Sequence, residues 1–99
     1  MNALYAVEWT EYERGWGCRP DGHSVHRNLN EAQRFITVYL NNLPKEIPDE
    51  YSSPGEPKIM EVSESLQRYV NLYGDVWLSQ NSTEAVKAYD AAPLFESIR

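Results

Sequence analysis

The sequence predicts an α+β fold, a mainly antiparallel sheet with an N-terminal hairpin and two to three helices packed on one face. Three observations carry this. Leu4 to Trp9 is apolar at all but one position. Ala32, Phe35, Ile36, Tyr39, Leu40 and Leu43 recur at steps of three and four. After residue 57, short apolar runs alternate with capped helical patterns.

In Leu4–Trp9, Leu4, Ala6 and Glu8 alternate with Tyr5, Val7 and Trp9. Both sets are largely apolar, so this strand is expected to be covered on both faces near its middle. Thr10 to Arg14 continue it. Arg19-Pro20-Asp21-Gly22 has the residues of a type I turn and is expected to form the hairpin tip. Gly15 and Gly17 bracket Trp16, which suggests a bulge that re-aims the indole.

Asn28 to Leu43 reads as a helix, capped by Asn28 with Glu31 or Asn30 with Gln33 and ended by Pro44. Lys45 to Pro57 contains Pro48, Pro54, Gly55 and Pro57 and is expected to be a loop. Lys58 to Val62 reads as a short strand. Ser63 then caps a helix with Leu66, Tyr69, Val70 and Tyr73 on one face, and Gly74 ends it. Asp75 to Ser79 reads as a strand, and Asn81 with Glu84 opens a helix running to about Ala92, where Pro93 stops it. Leu94, Phe95 and Ile98 form an apolar tail suited to the core or to a second copy in a homo-oligomer.

Ninety-nine residues, 41% hydrophobic and 24% charged, predict one domain with one core. The net charge of -6 disfavours duplex nucleic acid, whose binding rests on phosphate neutralisation. Acids concentrate between Glu46 and Glu64, a solvated loop or a docking surface for a basic partner. Cys18 is the lone cysteine and no apolar run is long enough to span a membrane, so a cytoplasmic location without a membrane partner is expected.

Residues 13–27 hold three of nine Lys and Arg residues, both histidines, the only cysteine and three of five glycines. Arg14 and Arg19 offer planar forks of donors for phosphate or carboxylate. Trp16 offers a stacking face. His23 and His26 add hydrogen-bond donors, and the glycines let backbone amides approach an anion. The same residues also suit a decorated hairpin, with Arg14 paired to Glu11 or Glu13 and Trp16 on the core.

Catalytic readings rest on less. His23 and His26 are three apart, so on a strand they point to opposite faces and share a metal only if the strand bends. No Cys or His elsewhere completes a zinc set. Cys18 with His23 or His26 as base would make a nucleophile, with Arg14 and Arg19 lowering its pKa. A lone strand cysteine also fits as a small buried hydrophobe. No motif implies a cofactor.

The opening Met-Asn-Ala-Leu-Tyr-Ala-Val-Glu-Trp and the run Glu13-Arg14-Gly15-Trp16-Gly17 through Arg19-Pro20-Asp21-Gly22 resemble the small accessory proteins that bacteriophages use against host defence. The likeness covers the first third of the chain and brings over no functional residues. It implies binding rather than catalysis: sequestration of a nucleotide-like defence signal or inhibition of a host protein.

The expectation is a non-enzymatic binder holding a nucleotide-like anionic ligand through Arg14, Trp16, Arg19, His23 and His26. The first alternative is an inhibitor that grips a host protein with its aromatic surface and acidic loop. The second is a small phosphoesterase using His23, His26 or Cys18.

Overall fold

Ala3–Glu13 form β1, the strand around which the chain is arranged, in a computed structural model that describes residues 2–46 and 48–98. It pairs along its length with β2 (Gly17–His26). Its other edge takes β3 (Glu50–Pro54) against Trp9–Glu13 and β4 (Lys58–Glu61) against Ala3–Ala6. β3 and β4 act as one edge strand with a one-residue slip. Trp9 lies opposite Pro54 and Ala6 opposite Lys58, so three steps on β1 match four on its partner. Gly55 bridges the slip by donating to Glu8 O at 2.8 Å. β5 (Val76–Leu78) closes the far side against His23–Val25. All pairings are antiparallel.

Leu4, Ala6, Val7 and Trp9, apolar residues of both parities in β1, are buried as the pattern predicts, while Tyr12 is exposed. Leu4 and Ala6 join Val25, Leu66, Val70, Val76, Leu78 and Val86 in the larger core. Val7 and Trp9 pack with Ala32, Phe35, Ile36 and Tyr39 on the opposite face. The helices therefore cover both faces. α2 (Glu64–Tyr73), α3 (Thr83–Lys87) and α4 (Ala92–Glu96) share one face, and α1 (Leu29–Asn41) covers the other.

Local chemistry sets the helix starts. Asn28 Oδ1 accepts from Glu31 N at 2.9 Å and Ser63 Oγ from Leu66 N at 3.1 Å. Gly74 ends α2 at a φ of 94°, which favours glycine.

Several expectations are corrected. The hairpin reverses at Arg14–Trp16, where Trp16 N donates to Glu13 O at 3.0 Å and Gly15 and Gly17 take φ values of 84° and 89°. Arg19-Pro20-Asp21-Gly22 lies inside β2 instead. Pro20 is tolerated because Asp21 is the extra residue of a bulge and β5 does not reach that far. Gly22 is needed for space, since a Cβ there would fall on the carbonyl oxygen of Leu78. The expected loop of 45–57 contains β3; Ile47 lies outside the described residues. Ser82, rather than Asn81, caps α3, which ends at Lys87. Pro93 sits in the first turn of α4 rather than stopping a helix, its missing N–H costing nothing there. Of the apolar tail, Leu94 meets the larger core and Phe95 lies 5.2 Å from the Tyr69 ring, in line with the expected docking on the core, while Ile98 is exposed.

The hairpin outruns the helices. β1 alone spans about 35 Å at strand rise, close to the 39 Å long axis. The radius of gyration is 14.0 Å, against about 13 Å expected for 100 residues. The distal half of β2 is largely exposed while its last five residues are buried.

Candidate functional site

The structure divides the five sequence-predicted residues into two groups. Arg14, Trp16 and Arg19 stand on the distal arm; His23 and His26 lie buried at its base. The arm is braced by β3, where Tyr12 and Tyr51 lie directly opposite each other and stack at 5.4 Å. Trp16 crowns the turn with 83% of its surface exposed. Tyr12, Arg14, Cys18, Pro48, Asp49 and Tyr51 line a cleft of about 550 Å³.

Both arginines have carboxylate neighbours. Arg19 Nε and Nη2 meet Glu11 Oε2 and Oε1 at 3.2 and 3.3 Å. The hydrogen bonds and charge of Glu11 raise the guanidinium pKa further. Arg14 Nη1 lies 3.5 Å from Asp49 Oδ1, and its backbone N donates to Asp49 O at 2.8 Å. With Glu13 and Glu50 on the same arm, two arginines sit among four acids. An anionic ligand would have to displace these partners and face the remaining carboxylates.

His23 and His26 occupy opposite faces of β2, as their spacing predicts. His23 Nδ1 donates to Gln80 O at 2.8 Å. His26 belongs to a buried relay. Trp9 Nε1 donates to Ser24 Oγ at 2.8 Å, Ser24 Oγ lies 2.7 Å from His26 Nε2, and His26 Nδ1 lies 2.9 Å from Asp75 Oδ1. Indole can only donate, so Ser24 Oγ accepts from Trp9, and a carboxylate can only accept, so His26 Nδ1 carries a proton toward Asp75. In the neutral imidazole this leaves Nε2 to accept from the Ser24 hydroxyl.

Ser24, His26 and Asp75 are in the order of a hydrolase triad, but Ser24 and His26 are 0% exposed. A carbonyl substrate must reach within about 3 Å of the nucleophile, and the fold covers it. Here the relay satisfies a Trp and a His inside the core. Cys18 is exposed, opposite Tyr12, and the buried histidines hold other partners. It gains no base from either.

Sequence reasoning missed Ser24, Asp75 and the Gln80 carbonyl. Ser24 and His26, two apart on a strand, necessarily share a face, which is a readable signal. Asp75 and Gln80 lie 49 and 57 residues from their histidines, and no local pattern links them. Among the described residues no helix is long and apolar enough to cross a membrane. Comparison with known proteins gives no bearing: no protein family, no curated protein and no solved structure matches the chain.

Proposed function

We propose that this is a non-enzymatic binding protein that engages a protein partner with the distal arm of its β1–β2 hairpin. The single observation behind this reading is Trp16, fully presented at the tip of a braced arm. Tryptophan, tyrosine and arginine dominate binding hot spots, and Trp16, Tyr12, Tyr51, Arg14 and Arg19 gather there. The mixed charges of the arm suit the polar rim of a protein interface better than a phosphate site. Inhibition of a host protein is one of the two roles that the resemblance to phage accessory proteins implies, sequestration being the other.

The second reading, sequestration of a nucleotide-like anion, is favoured by the same exposed indole between two arginines. One experiment separates them. The protein is purified from host cells, and co-purifying protein and heat-released small molecules are both identified by mass spectrometry. A stoichiometric protein partner lost in Trp16→Ala supports the arm as a protein-binding surface. A recovered nucleotide, lost in Arg14→Ala and Arg19→Ala, replaces that reading with the second.

A further inference from the structure

On the α1 face, away from the turn, five elements converge on a small aromatic cup. Trp9, Phe35, Tyr39 and Trp77, with Asp21 and Ser52, line an open pocket of about 230 Å³. The three other rings stand steeply to the Trp9 indole: Phe35 at 6.0 Å and 76°, Tyr39 at 4.8 Å and 74°, Trp77 at 6.0 Å and 65°. Phe35, Tyr39 and Trp77 thus flank the opening steeply around Trp9, which is itself only 1% exposed, so the accessible aromatic surface is mainly theirs. A cation there is attracted by each ring quadrupole, and quaternary ammonium groups are recognised in this way.

The rim supplies charge. Ser52 Oγ donates to Asp21 Oδ2 at 2.6 Å, and Ser52 N donates to Tyr39 OH at 2.9 Å. These bonds hold β3, the β2 bulge and α1 in one arrangement. Among the described residues Asp21 has no lysine or arginine partner. The cation–π contact within the chain, Arg68 over Phe95 at 4.9 Å, lies elsewhere. Among the described residues no side chain thus supplies the cation that this cup suits. An adjoining cleft shares Phe35 and Tyr39 and continues past Val38 to Asp75 and Arg34.

We propose that the cup of Trp9, Phe35, Tyr39 and Trp77, with Asp21 at its rim, binds a poorly hydrated alkylammonium group of the trimethylammonium type. A bare ammonium carries three donors and a strong hydration shell, and the cup offers few acceptors. A methylated head group gives up less water and fills an apolar cup. The overall charge of -6 favours a cation, and Arg34 is the one adverse charge lining the adjoining cleft. The site is separate from the arm and stands whether or not Trp16 binds a partner.

The test follows the indole N–H resonances of the three tryptophans by NMR while choline, or a short peptide carrying trimethyl-lysine, is added. Saturable shifts of Trp9 and Trp77, with Trp16 unmoved, are the expected result. The tighter of the two probes identifies the source of the head group. The neutral isostere 3,3-dimethylbutanol is expected to bind about tenfold more weakly, a difference of about 1.4 kcal/mol. Asp21→Asn and Trp77→Ala, each checked for a native circular dichroism spectrum, are expected to weaken binding to a similar extent. Equal binding of the isostere would reduce the cup to an apolar cleft and overturn the proposal. So would unshifted Trp9 and Trp77 signals with both probes, or unchanged affinity in both folded variants.

Discussion

Ser24 shows what one hydroxyl does in this core. It accepts from Trp9 Nε1 and shares a hydrogen bond with His26 Nε2, both out of reach of water. Ser24→Ala strands two buried polar atoms, so urea denaturation is expected to show a loss of about 1–3 kcal/mol. An unchanged midpoint would mean that the network repacks around the gap. Glu31 provides a pH signature. Its carboxyl is held below the ordinary range, first by hydrogen bonds from Arg27 at 2.7 and 3.0 Å. A lowered folded-state pKa gives stability that is present above the unfolded value and lost as pH falls through the folded one. Glu31→Gln is therefore expected to be less stable than the parent at pH 7, with the difference closing in acid. The caps at Asn28 and Ser63 were legible because donor and acceptor lie three residues apart. The partners of His23 and His26 were not, because sheet closure brings them in from 57 and 49 residues away.

At the scale of elements, what the sequence revealed depended on periodicity. β1, α1 and α2 are long and regular, and most of their apolar positions face the cores that the pattern predicts, with Leu40 and Tyr73 left exposed. β3 escaped notice because Tyr51-Ser52-Ser53-Pro54 carries little apolar alternation. Its order comes from β1 and from Tyr39 OH, which accepts from Ser52 N. The turn was misplaced because Pro-Asp-Gly suits both a reversal and a bulge, and only the positive φ of Gly15 and Gly17 decides between them. This architecture predicts a gradient of stability. Amides of the distal arm, backed by no helix, are expected to exchange hydrogen faster than those of Leu4–Glu8 and His23–His26. Tyr39→Phe is expected to widen that gap by freeing β3. Uniform exchange along β1 would show that the arm is as firmly held as the core.

For the whole molecule, the arrangement separates what keeps the chain folded from what it presents. Two apolar cores clasp the proximal half of the hairpin, while the arm carries its aromatic and charged groups outward. The composition announced these groups within residues 13–27, but not that the histidines would turn inward and the tryptophan outward. That division depends on where the chain reverses, five residues before the expected turn. It also sets a test that joins stability to function. An indole with 83% of its surface exposed has little apolar area left to lose. Trp16→Ala is therefore expected to keep thermal stability within about 0.5 kcal/mol of the parent, while an interface built on that side chain loses 2 kcal/mol or more, about thirtyfold in affinity. Calorimetric unfolding and a binding isotherm on the same two samples give both numbers. A large loss in both would place Trp16 in the fold, and the arm would then be a structural projection rather than a binding surface.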